Sequence, residues 1–188
     1  MIEEVYKKRV KVRRFTDKVP DHNLIIDMMK KTHDLVASKQ NLMPYKIHVL
    51  DPKCKIQKEE LFKLTTQSVS NATKNIQVYA PYVLVFTSRL AEPNEFVEKK
   101  ISEGHFYQAC FPETYHNKVA INIACIEIGM WTKIFTGLCL EHDIDVSYIK
   151  CFDTNPDNWS FINELPLFVA SVGYCNWWSE SARLDRYG

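Results

Sequence analysis

The chain has 188 residues, 46% of them hydrophobic, enough to bury a full core as a single domain over residues 1–188. Lysine plus arginine number 24 and aspartate plus glutamate 23, and the resulting net charge of +1 excludes a nucleic-acid binder that works by bulk charge. The opening Met1-Ile2-Glu3-Glu4 lacks the apolar region of a signal peptide, and no run approaches membrane-spanning length. Six scattered cysteines form no CxxC pair, so the expectation is a cytoplasmic protein with reduced thiols, away from membranes.

In chain order, residues 2–8 are expected to form a short helix that feeds a basic strip, Arg9-Val10-Lys11-Val12-Arg13-Arg14-Phe15. Arg9, Lys11 and Arg13 alternate with valines, so an extended strip points all three cations to one side. In a helix Arg9 and Arg13 meet at i,i+4, where like charges repel unless an anion lies between them. A doubly charged phosphate suits either geometry; the bland alternative is a solvated basic face.

Asp21 is the expected N-cap of a helix running to about Ala37, with Leu24, Ile25, Met28, Met29 and Leu35 as its apolar stripe. Residues 38–44 are polar and irregular, and Tyr45 to Leu50 alternates as a strand does. Residues 57–78 read as a helix weakened by Thr65, Thr66, Ser68 and Ser70. Ala80-Pro81 ends it, and the unbroken run Tyr82-Val83-Leu84-Val85-Phe86 predicts a central strand covered on both faces. Residues 93–112 are ambiguous, with helix on either side of Gly104 as one reading.

From Tyr115 to Met130 the pattern predicts a helix apolar almost all round, broken mainly by Asn122 and Glu127. Such a helix belongs either at a subunit interface or at the centre of a core. Trp131 to Gly137 reads as a strand or turn, and 138–165 yields only a loop at Asp153, Asn155-Pro156 and Asp157. Leu167 to Tyr174 is another strand, followed by a tail with Trp177, Trp178, Arg183 and Arg186. Loosely alternating helices and strands, with helices dominant, make the fold class α+β.

Five glycines form neither GxGxxG nor GxxxxGK(S/T), so no Rossmann or P-loop phosphate cradle is present. His105, Cys110, Glu113 and His116 follow no metal-ligand spacing, and no metal is expected. Nothing resembles a catalytic triad.

Taken together in order, the motifs resemble those of the FMN-dependent nitroreductase family. Arg9-Val10-Lys11-Val12-Arg13-Arg14-Phe15 followed by Val19-Pro20 is similar to the family's opening R-R-S-x-R-x-F and V-P. Val36-Ala37-Ser38-Lys39-Gln40-Asn41 with Pro44-Tyr45 is similar to its A-P-S-x-x-N-x-Q-P-W segment. Ala80-Pro81, Glu127 to Met130, Thr136-Gly137, Pro166 to Tyr174 and Arg183-Leu184 follow in the family's sequence, so the resemblance covers nearly the whole chain.

The resemblance implies a mostly antiparallel central sheet wrapped by helices, in an interlocked homodimer with one FMN per subunit at the interface. It implies that Arg9, Lys11 and Arg13 hold the phosphate, ribityl chain and pyrimidine edge, with Arg183 joining them from the tail. Ser38 and Asn41 meet the flavin from the second segment, and Ile134, Phe135, Thr136 and Gly137 run along the isoalloxazine. Phe106 and Tyr107 cover the substrate side. The physical logic agrees: guanidinium groups bind phosphate oxygens bidentately, and positive charge near N1 and O2 stabilises an anionic reduced flavin. Asn41 can donate and accept, as a pyrimidine edge requires.

The implied activity is NAD(P)H-dependent reduction of nitro, quinone or similar electrophilic small molecules, by hydride transfer at flavin N5 in a ping-pong cycle. The protein itself then supplies no nucleophile or general base. The alternatives keep the flavin but change the chemistry, to reductive dehalogenation or flavin fragmentation, or lose FMN and leave a non-catalytic dimer. Departures from the family pattern are Lys11 for serine, Ala37 for proline, Met43 for glutamine and Tyr45 for tryptophan. Thr73 stands where an asparagine or glutamine is usual, leaving Asn71 or Asn75 to substitute, and Thr136 stands where many members have glycine or glutamate.

Overall fold

The structure is a computed structural model and describes residues 2–9, 11–65 and 75–175. Four strands, β1 (Tyr45–Leu50), β2 (Tyr82–Ser88), β3 (Asp145–Ile149) and β4 (Pro166–Gly173), form one sheet in the order β1-β2-β4-β3. Every described pairing is antiparallel. Among the described residues five α-helices accompany it: α1 (Ile2–Lys7), α2 (His22–Leu35), α3 (Lys55–Leu64), α4 (Glu95–Ser102) and α5 (Lys118–Glu141).

β2 is central, and all seven of its residues are buried. Successive side chains of a strand leave opposite faces, and here that alternation divides the core in two. Tyr82, Leu84 and Phe86 join α2 and α5 in one cluster, whereas Val83 and Val85 join Leu61, Val78, Phe152 and Trp159 in another. The unbroken apolar run thus reflects cover on both faces, as expected.

The long helix departs from expectation. α5 does not stop at Met130 but continues to Glu141, so Trp131 to Gly137 is helix and not strand or turn. The misleading residues are Gly129 and the β-branched Thr132, Ile134 and Thr136. The threonines are accommodated by bonding back to the preceding turn: Thr132 Oγ1 donates to Gly129 O at 3.1 Å and Thr136 Oγ1 to Thr132 O at 2.7 Å. Tertiary packing then outweighs a glycine penalty of about 1 kcal/mol. Trp131 stacks on Phe135 with ring centroids 4.8 Å apart and meets Phe86 edge-on at 5.3 Å. Asn117 caps the start, its Oδ1 accepting from Val119 N and Ala120 N.

At 24 residues α5 is also long and apolar enough to cross a membrane by length and composition, contrary to the expectation that no run approaches that length. Half of its most apolar window is buried within the subunit, against α2, α1 and the sheet.

Other boundaries differ from expectation for identifiable reasons. α2 keeps the Asp21 cap, whose carboxylate accepts from Leu24 N at 2.9 Å, but Leu35 at its last position is 57% exposed and leaves the predicted stripe. The predicted 57–78 helix is shorter and earlier: α3 ends at Leu64, where the Thr65 hydroxyl donates to Phe62 O, and 76–79 is a 310 turn. The 66–74 part of that prediction lies outside the described residues. β3 falls where the sequence suggests no element. Residues 93–112 resolve into α4, capped by Asn94, then Gly104 at φ +89°, a conformation that favours glycine.

The basic strip runs beside the β3–β4 edge. Val12 is 1% exposed and its carbonyl accepts from Ser147 Oγ at 2.7 Å, while Lys11 and Arg13 on either side are exposed, the alternation expected of extended chain. Thr16 N donates to Tyr174 O at 2.8 Å, and Phe15 bridges to Cys175.

Candidate functional site

Two loci on α5 gather the predicted site residues. The first lies where α1 meets the helix. Tyr6 donates its phenol proton to Lys133 O, and its ring carries the Lys133 ammonium 3.4 Å from the centroid. Tyr6 can sit there because Gly137 has no side chain: a Cβ would lie 3.0 Å from the Tyr6 hydroxyl. One residue beyond the turn that ends α1, the Arg9 guanidinium lies over the Tyr148 ring, 5.2 Å from its centroid. Tyr148 is held by its hydroxyl, which bonds Thr136 Oγ1 and donates to Thr132 O at 3.2 Å. Two cations therefore sit on two aromatic faces along adjacent turns of α5.

The electrostatics are those of excess positive charge. Partial desolvation lowers the exposed Lys133 ammonium below its ordinary pKa, and Arg9 lowers it further. Burial raises the Tyr6 phenol and Tyr148 adds to this, while Arg9 pulls it back. Among the described residues, no carboxylate lies within ion-pair distance of Arg9, Lys11, Arg13, Arg14 or Lys133. Lys7 pairs with Glu3 and Glu4, and Lys8 with Asp143, so among the described residues the neighbouring cations are neutralised and these are not.

The second locus is the loop after α2. Gln40, Asn41 and Met43 all have positive φ, at 52°, 56° and 43°, each costing about 1–2 kcal/mol for a residue with a side chain. Hydrogen bonds within the loop and to its neighbours hold this strained shape. Lys39 N donates to Glu127 Oε1 at 2.8 Å, Met43 N to Ser38 Oγ at 2.9 Å, Asn94 Nδ2 to Gln40 O at 2.7 Å, and Asn41 N to Ser38 O at 3.2 Å. Glu127 is 3% exposed; burial raises its carboxyl, opposed by the Lys39 amide and Ser38 hydroxyl. Burial also raises the Tyr45 phenol, with Glu127 adding to it. Glu127 Oε2, Tyr45 Oη, Gln40 Oε1 and Trp131 Nε1 are buried with no hydrogen-bond partner among the described residues. Concentrated backbone strain and unpaired polar atoms mark functional loops more often than plain connections.

The predicted residues are thus divided within one subunit. Arg9, Thr136 and Gly137 share the first locus, with Lys11 and Arg13 exposed along the strip beside it. Ser38 and the exposed Asn41 belong to the second. Glu127 and Thr136 are separated by about 14 Å along the helix axis and by half a turn around it. Ile134 is half-buried, and Phe135 is 0% exposed, turned into the core beside Trp131. Phe106 is 54% exposed and stacks on Phe111 at 4.6 Å; Tyr107 packs with Leu42, Ala109 and Ala120 near the start of α5. Asn75 donates to Cys151 O at 3.3 Å, while Asn71, Thr73 and Arg183 lie outside the described residues.

Tyr6, Lys133, Tyr148 and the bonding role of Glu127 were missed as site residues. One signal was available: between its ends, α5 carries only two charged residues, Glu127 and Lys133, and each proves to anchor a locus. Tyr148 offered none, because β3 itself went unrecognised.

No family model matches the sequence, and no curated protein matches it. Solved structures do match. A nitroreductase family protein from Streptococcus pneumoniae TIGR4 superposes with a TM-score of 0.67 at 19% identity, over 94% of this chain and 91% of that one. A protein of Exiguobacterium sibiricum described as a nitroreductase in complex with FMN gives 0.65 at 14% identity, over 93% and 88%. The enone reductase CLA-ER of gut-bacterial fatty acid saturation gives 0.64 at 15% identity, over 93% and 88%. The antiparallel sheet, the helices around it and these superpositions agree with the order of motifs in the sequence: the chain has the nitroreductase-like α+β fold.

Proposed function

We propose that this chain is an FMN-dependent oxidoreductase, using NADH or NADPH to reduce electrophilic small molecules such as nitro compounds or quinones in the cytoplasm. The observation that carries the proposal is the pair of cations at the α1–α5 seam, Arg9 and Lys133, with no carboxylate partner among the described residues. That donor set fits a phosphate monoester: a planar guanidinium able to bind two oxygens, with Lys11 and Arg13 exposed alongside. FMN, when bound, would supply the hydride chemistry that no side chain of this protein offers. Arg9, Lys11 and Arg13 would hold its phosphate and ribityl end, and the positive charge would favour the reduced, anionic ring.

Ser38 and Asn41 stand on the far side of α5 from Arg9, so one subunit alone brings only part of the predicted set together. We therefore propose a homodimer in which the second copy completes each site. The outer face of α5 supports it: Val119, Ile126 and Met130 are 49%, 64% and 38% exposed, Cys125 is exposed beside them, and Gly129 faces open space. Positions 119, 126 and 130 lie on one side of a helix, an apolar stripe that fits a copy of itself about a two-fold axis. Phe106, stacked on Phe111 and exposed, is proposed to cover the substrate side with Tyr107.

The test is purification followed by flavin titration, then anaerobic reduction with each nicotinamide nucleotide. Yellow protein bleached rapidly by NADH or NADPH is the expected result. Retained flavin with slow bleaching by both would move the chemistry to dehalogenation or flavin fragmentation. Failure to bind FMN would leave a dimer that serves as an interaction protein and overturn the proposal.

A further inference from the structure

We infer that Lys133, outside the basic strip, is the second cation of the phosphate site, so that the flavin phosphate is held between Arg9 and Lys133. The inference rests on the FMN reading above and extends it to a residue that neither the motifs nor the comparisons pick out.

The geometry points to it in three ways. Lys133 is exposed on the same stretch of α5 that anchors Arg9's support: Thr132 and Thr136, its near neighbours along the helix, bind the Tyr148 hydroxyl under Arg9. Each cation is seated on an aromatic face, Lys133 on Tyr6 and Arg9 on Tyr148, and each phenol is tied back to α5, Tyr6 to Lys133 O and Tyr148 to the threonines. The cations are thereby fixed in place without being neutralised, because an aromatic face orients a cation yet leaves its hydrogen-bond donors free. Third, the two charges feel one another, since Arg9 disfavours the charged form of Lys133. Two like charges that perturb one another from rigid supports are relieved by an anion between them.

The groups that bear on Lys133 from the packed elements are Tyr6 on α1 and Arg9 just after it, and Tyr148 on β3 acts on Tyr6 in turn. Asp143, just beyond the end of α5, is held by Lys8 at 2.9 Å. The expected ligand is a phosphate monoester dianion, and FMN is distinguished from riboflavin by that group alone.

The experiment is flavin titration, by fluorescence quenching, of the full chain and of Lys133→Met, Lys133→Arg and Arg9→Ala, each with FMN, with riboflavin and with inorganic phosphate as competitor. The wild type should prefer FMN over riboflavin, and phosphate should compete with FMN. Lys133→Met should weaken FMN by roughly tenfold or more, the scale of a charge-assisted hydrogen bond, while leaving riboflavin unchanged. Lys133→Arg should restore most of the preference. If Lys133→Met keeps the FMN preference of the wild type while Arg9→Ala loses it, Lys133 is overturned and the flavin reading stands. If Lys133→Met weakens FMN and riboflavin equally, Lys133 acts on the fold or seam and not on phosphate, and the inference is again overturned. If the wild type binds neither flavin, the functional reading itself fails and the inference falls with it.

Discussion

On the inner face of α5, Ile128, Trp131 and Phe135 are 2%, 0% and 0% exposed, whereas on its outer face Val119, Ile126 and Met130 are 49%, 64% and 38% exposed. Both faces are apolar, and sequence pattern alone treats them alike. The difference lies in what meets them. The inner residues are matched by Phe86 of β2 and by α2, while nothing among the described residues of the subunit packs over the outer stripe. An all-round apolar helix therefore need not be a fully buried one; one apolar face belongs to this core and the other is offered outward. Exposed apolar stripes of this kind mark association surfaces.

Variants of the two faces separate these roles. Trp131→Ala removes a fully buried indole that touches Phe86 and Phe135, and is expected to cost about 3–5 kcal/mol of subunit stability. Denaturant titration measures this directly, and a loss below about 1 kcal/mol would mean that α5 is not the core helix described. On the outer face, Ile126→Asp combined with Met130→Asp should leave a folded monomer but weaken self-association by about 3 kcal/mol, roughly a hundredfold, through burial of unpaired charges. Sedimentation at several concentrations reads it. A wild type that stays monomeric at every concentration would reject the seam.

A third variant bears on the cation locus at one end of that face. Arg9→Ala should weaken FMN binding by about 1.5–3 kcal/mol, the range for a hydrogen bond to a charged group. Unchanged FMN affinity would separate the basic strip from the cofactor.

The contrast between faces also explains what was legible in the sequence. β1 was predicted at its observed bounds, β2 was placed as the central strand and β4 was found within a residue or so, because their patterns are simple: alternation at Tyr45 to Leu50 and an unbroken run at Tyr82 to Phe86. The second half of α5 was misread because Thr132, Ile134 and Thr136 favour strands locally, and only the stack of Trp131, Phe135 and Phe86 overrides them. The cation locus was half legible. Arg9 stood out by its neighbours in sequence, whereas Lys133, more than a hundred residues later, meets it only in three dimensions. The strained loop at Ser38 reads as irregular in the sequence, but nothing local reveals that Glu127 holds it, since that bond joins residues 88 apart.

Glu127 provides the smallest effect and the most direct probe of that loop. Its carboxyl is raised by burial, so the folded state binds the proton more tightly than the unfolded chain does. By linkage, the stability this group contributes is fully present below the ordinary glutamate pKa and is lost as pH rises through the raised folded value. In its charged form the carboxylate has one oxygen on Lys39 N and the other buried with no hydrogen-bond partner among the described residues. Glu127→Gln keeps the acceptor for Lys39 and removes the charge. It should make the protein more stable at pH 7, and the gain should shrink as the pH falls from 7 towards the ordinary glutamate range. Denaturant midpoints across that range measure it. A glutamine variant less stable than the wild type at pH 7 would mean that the carboxylate, strained loop and all, is held by more favourable contacts than the Lys39 amide and Ser38 hydroxyl.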